Sequence, residues 1–300
     1  MNDRMKSNYY VACLTAFNSD GSIDFPGNHK LWDYLINHGI KGLLVLGSSG
    51  EFYAMTADER KALMKDAKAY IGSRAKLFFG TGSCNTDEAL SLSEYAEELH
   101  ADGIMVISPY YFGLSAEAIR EYYGAIADAV HIPMYLYNFP ARTGYSLQPD
   151  VILQLKKEHA NIVGIKDSVA EFGHTREIIT TVCKEFPDFE VYSGFDENLM
   201  HVCLSGGSGV IGAIPNVCPE ICSGFEKAIE ENDLKKISQY QKKIDVLMKI
   251  FSINSSYIAT AKAGMQLMGV DVSNKCREPI VSLKPEEIDP LKAVLDRALN

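Results

Sequence analysis

Eight short apolar runs recur along the chain, and most are bounded by glycine, proline or serine. The majority are continuously apolar rather than alternating, which suits parallel strands in a sheet that is covered on its outer face. The pattern therefore predicts eight strands. They occupy residues 9–17, 42–47, 76–82, 103–109, 134–140, 162–167, 189–194 and 209–214.

Amphipathic helical patterns separate these runs. One starts at Thr56, with Glu59 at the spacing of a capping box, and places Leu63 and Ala67 on one face. Eight alternations of strand and helix predict an α/β protein with a closed (β/α)8 barrel, the TIM fold. A doubly wound open sheet is the alternative, although the G-x-G-x-x-G usual after its first strand is absent.

The last part of the chain has a different pattern. Residues 217–300 contain four helical segments and no convincing further strand. We therefore expect a barrel in residues 1–225 that carries the active site. We expect residues 226–300 to form a C-terminal helical extension packed on the barrel, since no low-complexity linker separates the two.

Composition and charge exclude several classes of function. The 300 residues are 47% hydrophobic, which allows a large core, and the net charge of -10 argues against a nucleic-acid binder. It also disfavours an anionic membrane surface, and no apolar run approaches the ~20 residues that a membrane helix needs. The N-terminus does not resemble a signal peptide. Seven scattered cysteines without a CxxC pair indicate reduced thiols, so we expect a cytoplasmic protein.

Lys166 ends the sixth apolar run, and the active site of a barrel lies at the carboxyl ends of its strands. By period-two alternation Lys166 shares a face with Gly164 and Ile162. If that face is the barrel interior, Gly164 leaves room beneath the lysine, and desolvation favours the neutral amine. A neutral amine can attack a ketone and form a Schiff base. The competing interpretation is an ordinary strand-end lysine that pairs with Asp167 in solvent.

Tyr137 ends the preceding run and favours the reactive interpretation of Lys166. Its phenol can reach the space above the lysine and carry protons to and from a carbinolamine oxygen. A rim tyrosine that packs against the next helix is the competing interpretation. That interpretation is weaker for a tyrosine beside a candidate nucleophile.

Two further strand ends offer groups that bind carboxylates. In the turn Gly47-Ser48-Ser49-Gly50, backbone N–H groups can approach a ligand closely and the hydroxyls add donors; a serine helix cap is the alternative. Arg142 offers a guanidinium fork for a second carboxylate, or it is a solvated loop residue. None of the seven histidines has a metal-binding spacing such as HxH or HExxH.

Five motifs in order resemble the dihydrodipicolinate synthase and N-acetylneuraminate lyase superfamily of Schiff-base aldolases. They are GSSGE, SPYY, YNFPARTG, GIKDS and SGFDENL, and the resemblance covers almost the whole chain. It implies a lyase that binds pyruvate and an aldehyde and needs no cofactor. It also implies a homo-oligomer, usually a tetramer built as a dimer of dimers.

The resemblance implies a role for each matching residue. Lys166 would form the Schiff base with pyruvate and Tyr137 would shuttle protons. Ser48 would link Tyr137 to Tyr111, which in the synthase branch comes from the neighbouring subunit. Ser49, with the loop amides, would hold the pyruvate carboxylate. The substrate-binding residues implied in this way are Gly47, Ser49, Arg142, Gly194, Asp196, Glu197 and Ile211.

Particular residues distinguish between the branches of the superfamily. Arg142 matches the synthases, where it contacts the carboxylate of aspartate semialdehyde. The segments GEFYAMTADER and GFDE resemble aldolases of 2-keto-3-deoxy sugar acids, in which Asp196 and Glu197 can accept hydrogen bonds from sugar hydroxyls. Ala213 stands near the position where a sialic acid lyase is expected to have a serine. The family's usual Thr-Thr is Ser-Ser here, and Asp167 replaces a glutamate that is frequent in synthases.

These features make a 2-keto-3-deoxy sugar acid aldolase the main prediction. Dihydrodipicolinate synthase, which condenses pyruvate with aspartate semialdehyde in lysine biosynthesis, is the alternative. A non-catalytic barrel that binds pyruvate or a sugar acid is the alternative from a different class, because a fold does not fix a function. Such a protein would be expected to lose Lys166 or Tyr137, and both are present.

Overall fold

The computed structural model describes residues 7–300, and its eight strands close into a parallel barrel in which neighbours follow chain order. The predicted barrel is therefore confirmed, and the open-sheet alternative is wrong. Each strand falls within or next to a predicted apolar run. The strands are β1 Asn8–Ala12, β2 Gly42–Val45, β3 Lys76–Gly80, β4 Gly103–Ile107, β5 Met134–Asn138, β6 Ile162–Asp167, β7 Glu190–Ser193 and β8 Gly209–Gly212.

Helices follow the strands, and short 3-10 turns lie at residues 48–50, 52–54, 196–198, 214–216 and 248–252. Within residues 7–300, no helix is long and apolar enough to cross a membrane. The helices are α1 Phe25–Asn37, α2 Ala57–Ile71, α3 Thr86–Glu98, α4 Ala116–Ala129, α5 Pro140–Thr143, α6 Pro149–Glu158, α7 Phe172–Glu185, α8 Leu199–Leu204, α9 Pro219–Glu230, α10 Leu234–Leu247, α11 Tyr257–Leu267 and α12 Pro285–Leu299.

Local side-chain chemistry sets the helix start that the sequence predicted at Thr56. The Thr56 hydroxyl accepts from the Glu59 N–H at 3.2 Å, and the Glu59 carboxylate accepts from the Thr56 N–H at 2.9 Å. This is the capping box, which satisfies two N–H groups that would otherwise lack a helical partner. The side chain of Asn85 caps α3 in the same position.

The described residues fall into two compact units, of which the first contains residues 9–76 and 212–300. In it β1 pairs with β2 in parallel, with Val11 opposite Leu43. Helix α10 packs on α9, and α12 packs on α10 and α11. Residues 217–300 contain helices and no added strand, as predicted. The predicted boundary between residues 225 and 226 stays a prediction.

The second unit contains residues 7–8 and 77–211 and holds β4 to β7 with most of β3 and β8. Below the level of Lys166, the phenols of Tyr135 and Tyr192 both donate to the Glu190 carboxylate, at 2.7 and 3.1 Å. A Cβ on Gly164 would lie 2.8 Å from the Tyr135 ring and 2.5 Å from the Glu190 carbonyl oxygen. Gly164 therefore does leave room beneath Lys166, and the ring of Tyr135 fills it.

Candidate active site

Lys166 lies at the end of β6 and is only 4% exposed. Its Cα is opposite Tyr137 on β5 and Tyr192 on β7, so strands flank it on both sides. Burial lowers the pKa of its amine to about 8, and the nearby carboxylate of Asp196 opposes that decrease. The interpretation of Lys166 as a strand end in solvent is therefore wrong. A lysine in this state is partly neutral at neutral pH and can act as a nucleophile.

Tyr137 is the immediate neighbour of this amine. The Nζ of Lys166 lies 4.7 Å from the centre of the Tyr137 ring, and the tyrosine is buried. The ring stacks on Phe139 with centres 6.0 Å apart, and the Arg142 guanidinium lies 5.6 Å from the centre of Phe139. The three side chains therefore form a series that runs from the buried amine to the exposed Arg142.

Asp167 faces away from solvent and does not pair with Lys166 as the competing interpretation required. It is completely buried and accepts hydrogen bonds from Asn138 at 2.7 Å and Thr175 at 2.6 Å. The Nδ1 of His174 lies 3.0 Å from the same carboxylate. Strand β5 and helix α7 are thus both tied to the residue that follows Lys166.

The end of β7 packs closely against Asp167 and Ser168. The Gly194 N–H donates to the Asp167 carbonyl at 2.9 Å, and a Cβ on Gly194 would lie 1.8 Å from the Ser168 hydroxyl. Glycine is required here because no side chain fits. Asp196 is buried in the 3-10 turn that follows, close enough to Lys166 to act on its charge. Glu197 is the next residue of that turn.

The turn that contains Ser48 and Ser49 lies in the first unit and is flanked by residues with a strained backbone. Ser48–Gly50 forms a 3-10 turn that Gly47 precedes, and no serine caps a helix there, so the helix-cap interpretation is wrong. Leu46 and Glu51 on either side have φ of 63° and 58°. Left-handed conformations of non-glycine residues are uncommon and concentrate at functional sites. The roles predicted for Ser48 and Ser49 stay predictions.

Three of the predicted site residues differ in their exposure to solvent. Tyr111 is 81% exposed, with its ring 4.7 Å from that of Phe112. Arg142 is exposed in α5. Ile211 is buried in β8. The predicted contribution of Tyr111 from a neighbouring subunit stays a prediction.

The sequence interpretation missed the partners of two predicted motifs. Asn138 and His174 hold Asp167, and the available signal was that polar residues follow both Tyr137 and Lys166 at paired strand ends. In the first unit, the Ser49 hydroxyl lies 3.2 Å from the hydroxyl of Tyr257. That contact joins residues 208 positions apart, and no spacing rule could have found it.

A second missed group is the buried ion pair of Glu51 and Lys262. Their charged atoms are 2.6 Å apart, and Lys262 is only 1% exposed. The Lys262 amine also donates to the Lys275 carbonyl at 2.7 Å, and Glu51 accepts from the Arg277 N–H at 2.8 Å. Lys262 is therefore a buried lysine with a direct carboxylate partner. Like the Lys166 amine over Tyr137, the Lys262 amine lies over an aromatic ring, 4.6 Å from the centre of Phe17.

The arrangement around Lys166 fits covalent chemistry of a carbonyl group. A buried amine with a lowered pKa can provide a nucleophile, and an adjacent phenol can transfer protons. Of the residues from 7 to 300, no group of three or more His, Cys, Asp or Glu side chains is arranged to hold a metal ion.

Comparison with known proteins identifies the family of this chain. Residues 5–298 match the Dihydrodipicolinate synthetase family. The chain belongs to this family. The resemblance predicted from the motifs is therefore confirmed.

Relatives within the family carry two kinds of name. The probable 2-dehydro-3-deoxy-D-pentonate aldolase YjhH of Escherichia coli is 37% identical over 94% of this chain and 93% of its own. The 4-hydroxy-tetrahydrodipicolinate synthase of Methanococcus vannielii is 33% identical over 97% of this chain and 96% of its own. Both branches that the sequence predicted are thus represented among its relatives.

A solved member of the family has nearly the same fold. The crystal structure of YagE, an Escherichia coli prophage protein of the dihydrodipicolinic acid synthase family in complex with pyruvate, superposes with a TM-score of 0.96. It is 34% identical and covers 98% of both chains. YagE is provisionally named a 2-dehydro-3-deoxy-D-gluconate aldolase.

Proposed function

We propose that this protein is a Schiff-base-forming, pyruvate-dependent aldolase that makes or cleaves a 2-keto-3-deoxy sugar acid. The observation that carries the proposal is the buried amine of Lys166, with a pKa of about 8, over the ring of Tyr137. Membership of the family supports it, and so does the likeness to a structure that contains pyruvate.

The reaction follows from the chemistry of the amine. Neutral Lys166 attacks the keto carbon of pyruvate, and the carbinolamine loses water to give an iminium ion, with Tyr137 moving the protons. The iminium accepts the electron pair released when a methyl proton leaves, which gives an enamine. The enamine carbon bonds to the aldehyde carbon as the aldehyde oxygen takes up a proton, which regenerates an iminium ion. Water then hydrolyses this iminium, releases the 2-keto acid and restores the amine. Cleavage is the reverse sequence.

Two observations favour the sugar-acid branch over the synthase branch. Asp196 is buried beside Lys166, where its carboxylate can accept hydrogen bonds from hydroxyl groups of an acceptor. The relatives YjhH and YagE carry names of 2-dehydro-3-deoxy sugar acid aldolases. Dihydrodipicolinate synthesis stays the second candidate because Arg142 is present and a synthase is among the relatives.

Further parts of the proposal come from the sequence. Ser49 and the amides near Gly47 would hold the pyruvate carboxylate, and Ser48 would link Tyr137 to Tyr111 of a neighbouring copy. Gly194 and Ile211 would line the site near the imine, and Glu197 would assist Asp196. We also propose a tetramer in the cytoplasm.

Two coupled assays distinguish the branches. We expect the purified protein to cleave 2-keto-3-deoxygluconate or the corresponding pentonate to pyruvate, which lactate dehydrogenase and NADH consumption report. We expect no condensation of pyruvate with aspartate semialdehyde above the rate without enzyme. Activity only in the second assay would reverse the assignment of the branch. Borohydride in the presence of pyruvate alone tests the shared first step, because reduction of the iminium fixes pyruvate to the lysine.

The rate of trapping with borohydride at saturating pyruvate is expected to rise with pH through about 8, where Lys166 loses its proton. At pH 7 about one tenth of the amine is neutral for a pKa of this size. The carboxylate of Asp196 raises this pKa, so Asp196→Asn should move the midpoint to lower pH. The exposed Asp188 provides the control variant Asp188→Asn, which should leave the midpoint unchanged. A midpoint that stays near 10 in the wild type would contradict the burial argument.

A further inference from the structure

The residue that follows the candidate nucleophile is tied to three elements. The carboxylate of Asp167 accepts from Asn138 on β5 and from Thr175 on α7, and its carbonyl accepts from the Gly194 N–H beyond β7. The Ser168 N–H also donates to the Asn138 carbonyl at 2.8 Å. The backbone on the carboxyl side of Lys166 is thus fixed by backbone hydrogen bonds to its neighbours and, in addition, by one buried carboxylate.

His174 completes this group, and both of its ring nitrogens face acceptors. The Nδ1 lies 3.0 Å from the Asp167 carboxylate, and the Nε2 lies 3.0 Å from the Leu147 carbonyl oxygen. A neutral imidazole has one N–H, whereas the imidazolium has two. In a neutral ring that donates to Asp167, the Nε2 lone pair would face the carbonyl lone pairs of Leu147. Only the imidazolium satisfies both contacts.

A single group nearby could favour the neutral ring. The Ser146 hydroxyl lies 3.2 Å from Nε2 and could donate to it. That hydroxyl also accepts from the Asn138 amide at 3.1 Å and lies 3.5 Å from the Asn138 carbonyl oxygen. Its contact with Nε2 is longer than the contact between Nε2 and Leu147, so the geometry favours an Nε2 that donates to the carbonyl.

We propose that His174 is a positively charged positioning residue, which with Asp167 forms a buried ion pair that fixes the end of β6 and thereby aims the Lys166 amine. Its second N–H anchors the pair to the backbone of the loop before α6. Asp167 would otherwise be a buried carboxylate with only neutral donors. The inference rests on the proposed function, because the orientation of the Lys166 amine is measured through its reaction with pyruvate.

The surrounding charges are consistent with a protonated ring. Burial and the position of His174 in the first turn of α7 both oppose a positive charge. Asp167 and, more weakly, Glu177 offset this opposition, and the pKa of His174 is raised above its ordinary value. Because this pKa is raised, the ion pair is complete below the ordinary histidine pKa and is lost as the pH rises through the raised value.

The first measurement is the protonation state. In protein with 15N-labelled histidine, both ring nitrogens of His174 should carry protons at pH 7, assigned by their disappearance in His174→Gln. The exposed side chain of His131 serves as the internal reference for a histidine in contact with water. A His174 that shows one protonated and one bare nitrogen at pH 7 would overturn the charge assignment and indicate that Ser146 donates.

The second measurement is the rate of borohydride trapping at saturating pyruvate. We expect His174→Gln to lower this rate roughly tenfold with the pyruvate KM changed less than twofold, because misaligned groups react more slowly. The control is His159→Gln, since His159 also pairs with a carboxylate, that of Asp128 at 3.1 Å, and precedes β6 at its other end. An equal rate in wild type and His174→Gln would refute the positioning role.

A second variant keeps the test decisive if His174→Gln is unstable. Asp167→Asn keeps the shape of the side chain and removes its charge, so His174 should become neutral at pH 7 and trapping should slow. A folded Asp167→Asn protein with rapid trapping would also refute the role. Wild-type trapping is measured first. Without a trapped Lys166 in the wild type the proposed function fails, whereas wild-type trapping with unaltered variants leaves that function intact and removes only this inference.

Discussion

Replacement of Lys166 by methionine is expected to abolish trapping of pyruvate by borohydride and to lower kcat roughly 10⁵-fold or more. Methionine fills a similar volume and has no amine that could form an imine. The mass of the wild-type protein should rise by that of pyruvic acid less one oxygen atom, with the added mass on the peptide that contains residue 166. The Lys166→Met protein should show no added mass. Its thermal stability should not fall, because the substitution removes a buried amine that is costly to charge.

Lys156 provides the matched control for this experiment. Burial lowers its pKa as well, but it lies on α6, where its amine donates to the Ala160 carbonyl. Lys156→Met should therefore trap pyruvate at the wild-type rate. A Lys166→Met protein that still gains the mass of reduced pyruvate would show that another lysine forms the Schiff base. The assignment of the nucleophile would then be wrong.

Tyr137→Phe is expected to lower kcat roughly 10²- to 10⁴-fold, the range that a positioned proton donor contributes. The ring that lies over Lys166 is kept, so burial of the amine and the fold should be preserved. Trapping should be slower than in the wild type but should reach completion, because the nucleophile is intact. Steady-state assays together with the time course of trapping separate these two effects.

Tyr135→Phe is the control for the loss of a phenol from the same strand. Tyr135 lies two residues before Tyr137 on β5, and its hydroxyl donates to Glu190 below the level of Lys166. Its replacement should leave kcat within a few-fold of the wild type. Equal losses in the two variants would indicate a general disturbance of the barrel, and the role of Tyr137 in proton transfer would have to be abandoned.

The fold was accessible from the sequence because its signals are local. Continuous apolar runs mark strands buried on both faces, and Thr56 and Asn85 mark helix starts through their own hydrogen bonds. The position of Lys166 at a strand end was likewise readable, since the carboxyl ends of barrel strands meet at one face. Recognition of the family added the expected role of each motif.

The state of Lys166 was less accessible. The sequence left a buried nucleophile and a solvent-exposed strand end about equally open until Tyr137 was considered. The structure decides the matter through the burial of the amine, its contact with the Tyr137 ring and the commitment of Asp167 to other partners. Lys262 makes the same point, because it too is a lysine in an apolar stretch and yet is paired with Glu51.

The sequence by itself determined the order of strands and helices, the barrel, the family and the positions of Lys166 and Tyr137. These follow from residue periodicity and from motifs that are short and contiguous. Only the tertiary structure decided which titratable groups meet: Asp196 with Lys166, His174 with Asp167, and Lys262 with Glu51. The physical reason is that a pKa depends on solvent exclusion and on charges a few ångströms away, and most of those charges are supplied by residues distant in the chain.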